Sequence, residues 1–436
     1  MNKNTDTRLP LLEHAPVEGE VVLLRVDHNV VKDGAIQDPF RIDQTFGTLF
    51  NIVERGGRII MMSHVGRPRT SDGDIHIDES TSVQPVVDYL EKRLHTTIFV
   101  PPITSAPHTG ITEESLDTSL YAAIRDLKEK KIGAIYLPNT RWFTGEEADP
   151  ASQTRRDFTR FLAQMADIFV NDAFGSWRPH ASTTDVARCL PSYAGFLMQQ
   201  EISHLYDVLT PRRPFVAVVA GAKFDTKINP LYGMYEKVDY LILGGLIYNT
   251  YLCAKYGVSI DGVRDEDIEA AHHLVEMDRS RGKILEPPYV IESDTMEGKI
   301  QGKYRRLQVN EFEEGMNFGY IVDIDEESFD DPHISEALAG AQTIFVNAVM
   351  GYTPFFTEGS ATLDKKIDQN QEALKLYGGG DTLQEFKSLC PGLYLSVLHD
   401  SQYYFFTGGG AVLKAIESGT PWGLEPIQAL MNSPGT

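Results

Sequence analysis

The feature that most restricts the fold is a recurrence of short apolar, largely β-branched segments. They fall at residues 20–24, 58–62, 97–100, 134–137, 167–170, 215–219, 240–243, 343–346 and 403–406, and helically spaced apolar residues lie between them. A strand with one wetted face alternates apolar and polar residues. These segments do not alternate, so both of their faces must be covered. Parallel sheets flanked by helices meet that demand, and the expected class is α/β throughout. Residues 193–209 carry an apolar stripe of Ala194, Leu197, Met198, Ile202, Leu205 and Leu209, bracketed by Pro191, Pro211 and Pro214. That spacing predicts a helix, suited either to a link between domains or to one more helix within a domain. Residues 285–329 show no clear period and receive no assignment.

Charge narrows the function. Against 40 Lys+Arg stand 62 Asp+Glu, a formal charge of −22. A protein that coats nucleic acid or anionic membrane needs a broad basic field, so neither is an expected partner, although a local basic pocket is compatible. The N-terminus lacks the apolar core of a signal peptide, and no uninterrupted apolar stretch reaches the roughly 18 residues of a membrane span. A cytoplasmic protein is expected. Its 436 residues suggest two or three domains. Cys189, Cys253 and Cys390 are too scattered for a disulfide framework and are expected to be buried as small hydrophobes.

In open parallel sheets ligands bind beyond the carboxyl ends of the strands. In the first half those positions hold Arg25, Asp27 and Asn29, then His64, Gly66 and Arg67, then Asn139 and Arg141, then Asn171, Arg178 and His180. Cationic side chains dominate, and the guanidinium fork suits a compact phosphate or carboxylate. In the second half they hold Gly221, Lys223 and Lys227, then Gly244 and Gly245, Asn347, Gly378 to Thr382, and a further glycine run at 408–410. Glycine-rich turns that open helices let backbone N–H groups cradle phosphates. Taken singly, a strand-end arginine is more often a surface ion pair, by about three to one. Four such positions in one half argue for a clamp. A small anion facing a nucleotide suggests phosphoryl transfer. There is no G-x-x-x-x-G-K-[ST], and no strand is followed by G-x-G-x-x-G, so P-loop and dinucleotide-binding enzymes are unsupported. Asp381 suits a Mg²⁺ ligand or a helix cap, and the two roles are compatible.

Eight segments in register carry a resemblance: LLRVDHNV at 23–30, Asp38-Pro-Phe-Arg41-Ile, SHVGRP at 63–68, Asn139-Thr-Arg141-Trp-Phe, FVNDAFG at 169–175, GAKFDTKI at 221–228, YGGGDT at 377–382 and TGGGA at 407–411. Together they resemble the phosphoglycerate kinase family, over roughly residues 20–430. The resemblance implies two Rossmann-like lobes, each a parallel sheet flanked by helices, at 1–190 and 211–415. A hinge helix at 191–210 would join them, and 416–436 would return to the first lobe. It also implies reversible phosphoryl transfer between 1,3-bisphosphoglycerate with ADP and 3-phosphoglycerate with ATP, small-molecule partners only, and a monomer. Asp27, Asn29, Arg41, His64, Arg67, Arg141 and Arg178 would bind the glycerate. Arg41, Lys223 and Lys227 would serve the reacting group. Gly221, Lys223, Lys227, Gly245, Asn347, Glu358, Gly378, Gly379, Gly380, Asp381 and Thr382 would bind the nucleotide, with Mg²⁺ on Asp381.

Several positions depart from the family pattern. Val346-Asn347-Ala348-Val349 stands for Trp-Asn-Gly-Pro, and Pro354 occupies the place of the acid expected at the ribose, for which Glu358 is the candidate replacement. The stretch around Arg178 is one residue short. A same-fold carboxylate kinase with another substrate or nucleotide, and a non-catalytic ligand-binding relative, remain alternatives to a phosphoglycerate kinase.

Overall fold

A computed structural model describes residues 8–221 and 228–434. Lys223 and Lys227 lie outside the described residues. Contacts divide the chain into two units, one of residues 1–203 with 422–436 and the other of residues 204–421.

In the first unit β1 (Val21–Val26), β2 (Arg58–Met62), β3 (Ile98–Phe99), β4 (Ala134–Tyr136), β5 (Ile168–Asp172) and β6 (Ser192–Ala194) form one sheet in the order β3-β4-β2-β1-β5-β6. Every pairing is parallel. All six residues of β1 are buried, as the absence of alternation requires for the central strand of a covered sheet. Chain order reverses beside β1, with β2 on one flank and β5 on the other. That reversal is where a doubly wound sheet opens a crevice at its carboxyl end.

In the second unit β7 (Phe215–Val219), β8 (Tyr240–Leu243), β9 (Ile284–Leu285), β13 (Thr343–Asn347), β14 (Leu374–Gly378) and β15 (Tyr403–Phe406) are ordered β9-β8-β7-β13-β14-β15, again all parallel. Its reversal lies between β7 and β13. The unpatterned stretch contains a separate antiparallel sheet of β10 (Tyr289–Ser293), β11 (Tyr304–Gln308) and β12 (Tyr320–Ile324), with β10 in the middle.

Helix α1 (Phe196–Leu209) begins three residues later than its apolar stripe predicts. Tyr193 and Ala194 pair instead with Val170 and Asn171 of β5, so strand pairing takes the residues that open the stripe. The division between units falls inside this helix. Its first turn is held by Asp172 at the end of β5, whose Oδ1 accepts the amide of Met198 at 3.1 Å. A Cβ on the intervening Gly195 would lie 2.2 Å from that oxygen, so only glycine admits the approach. Residues 416–418 finish a helix of the second unit, and the terminal segment belongs to the first unit only from Trp422 on. Cys253 and Cys390 are buried, whereas Cys189 is exposed, contrary to expectation. Among the described residues no helix is long and apolar enough to cross a membrane.

Candidate active site

Arg25, fifth in the buried strand β1, organises the first unit's crevice and is only 1% exposed. Its Nε donates to Ser182 Oγ at 3.0 Å, its Nη2 meets His64 Nδ1 at 3.1 Å, and its Nη1 donates to the Val26 carbonyl. Burial lowers its pKa while Glu146 and Asp27 oppose the shift. An arginine can only donate, so His64 Nδ1 accepts and the ring proton sits on Nε2. Burial, reinforced by Arg25, Arg141, His180 and Arg41, holds His64 well below the usual imidazole range. His64 is therefore a neutral N–H donor, which corrects its expected place among the positive charges.

The loops after β1, β2 and β4 interlock through polar side chains. Arg41 Nη1 lies 3.6 Å from Asp27 Oδ2, and Asn29 Oδ1 accepts the Gly66 amide at 2.8 Å. Arg141 Nη1 donates to the Gly66 carbonyl at 2.6 Å. Buried Asn139 accepts the amides of Val65 and Arg141 and donates to the carbonyls of Val65 and Thr81. Asp27, Asn29, Arg41, His64 and Arg141 are thus brought together, because β1, β2 and β4 are adjacent and end at the same edge. Arg67 and Arg178 are exposed; the Arg178 guanidinium lies 5.9 Å from the centre of the Trp177 ring.

Sequence reasoning placed Arg25 at the end of the first strand without giving it a role, and left Glu146, Glu147 and Ser182 out of the site. Glu146 is fully buried and accepts both the amide and the hydroxyl of Ser182, at 3.0 and 2.6 Å. An arginine inside an apolar strand was the available signal, because such a charge persists only with buried partners.

In the second unit the glycine turns pack backbone against backbone. Asn347, at the end of β13, donates its Nδ2 to the Gly378 carbonyl. Gly379 has φ +124, and a Cβ there would come within 2.9 Å of Asn347 Nδ2 and 3.1 Å of Thr382 Oγ1. A Cβ on Gly409 would fall 2.5 Å from the Gly379 Cα, so the turns before α4 (Gly380–Leu389) and α5 (Gly409–Ser418) touch directly. Gly245, with φ +56, opens α2 (Gly245–Tyr256) against Gly221, whose carbonyl accepts the Leu246 amide at 3.1 Å. Gly221, Gly245, Asn347, Gly378, Gly379, Gly380 and Thr382 therefore lie at one edge of the sheet.

Glu358 opens α3 (Glu358–Gln369), and its Oε1 is 2.5 Å from Lys299 Nζ. Asp381 is an exposed carboxylate in the first turn of α4. No trio of ligating side chains converges among the described residues. A lone carboxylate fits Mg²⁺, which is commonly held by one or two carboxylates with substrate phosphates and water.

The family model for phosphoglycerate kinase matches residues 12–419. The chain belongs to the phosphoglycerate kinase family. Relatives include a phosphoglycerate kinase of Roseiflexus sp. (strain RS-1), 34% identical over 406 residues, covering 92% of this chain and 94% of that one. A phosphoglycerate kinase of Thermus thermophilus is 32% identical over 422 residues, covering 94% and 97%. Among solved structures, phosphoglycerate kinase from Coxiella burnetii superposes with a TM-score of 0.73 at 26% identity, over 97% of this chain and 98% of that one. The Pyrococcus horikoshii enzyme, at 22% identity and a TM-score of 0.75, shares the fold. Members of this family are phosphotransferases with a carboxyl group as acceptor and ATP or ADP as the second substrate.

Proposed function

We propose that this chain catalyses reversible phosphoryl transfer between 1,3-bisphosphoglycerate with ADP and 3-phosphoglycerate with MgATP. The observation that carries this reading is the division of labour between the units: buried Arg25 with its arginine and histidine neighbours in one, backbone-lined glycine turns in the other. In the direction that consumes ATP, a carboxylate oxygen of 3-phosphoglycerate attacks the γ-phosphorus. The new O–P bond forms as the bond to the β-phosphate bridging oxygen breaks, and ADP departs. A carboxylate with a pKa near 4 is already ionised at neutral pH, so no general base is needed.

The difficulty lies in assembling anions and stabilising charge on the group in flight, which is work for fixed donors. Arg41, Arg67, Arg141 and Arg178 bind the phosphate and carboxylate oxygens, and His64 Nε2–H adds a neutral hydrogen bond. Asp27 and Asn29 suit the substrate hydroxyl. Lys223 and Lys227 meet the transferring group. Gly221, Gly245, Asn347, Gly378 to Gly380 and Thr382 hold the nucleotide, and Glu358 serves its ribose. Asp381 would hold Mg²⁺, which when bound neutralises phosphate charge. The reading also takes the chain as a cytoplasmic monomer in which α1 is the hinge between units.

The test is purified protein with ATP, Mg²⁺ and 3-phosphoglycerate, coupled to hydroxylamine trapping of acyl phosphate. Turnover that depends on all three is expected. Nucleotide binding without acyl phosphate, or turnover only with another carboxylate, would refute the assignment.

A further inference from the structure

The anion-binding face of the first unit contains a carboxylate of its own. Glu147 Oε1 lies 2.8 Å from Arg141 Nε and 3.7 Å from His180 Nε2, and its Oε2 lies 3.9 Å from Arg69 Nε. Its side chain is 24% exposed, so solvent and solutes reach it. Glu146, one residue earlier, is fully buried and committed to Ser182. The two neighbouring acids thus divide: one belongs to the packing and the other faces the place where an anion would sit.

Arg141 has five N–H groups. One on Nη1 is spent on the Gly66 carbonyl; Nε is buried with no hydrogen-bond partner among the described residues and lies 2.8 Å from Glu147 Oε1, so the two form an ion pair without an aligned hydrogen bond. A substrate anion brought to this guanidinium therefore meets the Glu147 carboxylate already beside it. After burial, Arg25, Arg141, His180 and Arg41 all act to lower the pKa of His64, with Arg25 Nη2 3.1 Å from its Nδ1. The arginines of this face repel one another, and the Glu147 carboxylate 2.8 Å from Arg141 Nε offsets part of that repulsion.

We propose that Glu147 is a resident counter-ion, which stabilises the arginine cluster of this face and competes with the incoming substrate anion for Arg141. It sets the affinity of this face against the stability of the unliganded unit. The proposal rests on the reading of this face as an anion site, and the test separates the two.

Glu147→Gln keeps the size and hydrogen-bonding capacity of the side chain and removes its charge. Inorganic phosphate, titrated calorimetrically at low ionic strength, is the probe, and thermal unfolding of the full chain is the second readout. Removing one competing charge at about 4 Å should tighten phosphate binding about tenfold. It should also lower the anion-free unfolding temperature, and saturating phosphate should recover most of that loss. Glu54→Gln, an exposed acid on the helix Phe46–Glu54, changes net charge equally and should leave phosphate affinity within about twofold of the parent. Unchanged or weaker phosphate binding by Glu147→Gln would overturn the proposal, since Glu147 would then serve only to hold Arg141 in place. Glu147→Ser checks the same sign without an amide that could pair with Arg141. Absence of phosphate binding by the parent protein would instead sink the anion-site reading itself.

Discussion

Replacing Asp172 by asparagine should change how the first unit's stability depends on pH. Asp172 ends β5 and is fully buried, and its Oδ2 has no hydrogen bond among the described residues. Burial pushes its carboxyl up from 3.8 to about 6. A raised value means that the folded state prefers the protonated acid. Stability from this group is complete below its unfolded value of 3.8 and is lost as pH rises through about 6. A shift of about two units corresponds to about 3 kcal/mol at 1.36 kcal/mol per unit. Asparagine does not titrate, so the parent-minus-variant difference in unfolding free energy should fall by about 3 kcal/mol between about pH 4 and pH 7. A constant cost of the new amide cancels from that slope. Urea unfolding followed by tryptophan fluorescence reads the right unit, because Trp142, Trp177 and Trp422 all belong to it. A difference that stays flat across this range, or rises with pH, refutes the reasoning.

Other perturbations address the two candidate subsites. Arg41→Ala should slow turnover by about 10² to 10³ while nucleotide affinity stays near the parent value; parallel loss of both would contradict the assignment of Arg41 to the glycerate side. Gly379→Ala forces a side chain into a left-handed backbone position against Asn347, at a cost of about 1–3 kcal/mol. Nucleotide dissociation constants should rise at least about tenfold while phosphate binding to the other unit is unaffected, and intact nucleotide binding would remove this turn from the site. Binding of 3-phosphoglycerate should weaken as salt is added, because attraction to the arginines is screened, and a salt-insensitive constant would count against the clamp.

Local signals in the chain sufficed for the α/β class, since a strand covered on both faces carries its own unalternating pattern. Strands such as Arg58–Met62 and Phe215–Val219 fall where that pattern puts them. Other elements were hidden for identifiable reasons. The strand Ser192–Ala194 is three residues long and overlaps the helical stripe behind it. Leu374–Gly378 contains Lys375, an atypical strand core by composition, yet its Nζ donates to the Ala373 carbonyl and lies 4.7 Å from the centre of the Tyr403 ring. In the antiparallel sheet of 289–324 the edge strand Tyr304–Gln308 opens with three exposed residues and the strands pair across loops, so its register depends on partners distant in sequence.

For the site, the order of residues alone determined the chemistry on offer: cationic side chains at strand ends in one half, glycine turns in the other, and the motifs that mark the family. Tertiary structure alone decided which of those groups meet, and in what charge state. His64 is a neutral donor because Arg25 is buried against its Nδ1. Glu147 bears on Arg141 and His180, which lie far along the chain from Arg69 but converge with it on one carboxylate. Protonation and pairing follow from burial and from distances between loops that only the assembled sheet sets, whereas residue type and period are written along the chain itself.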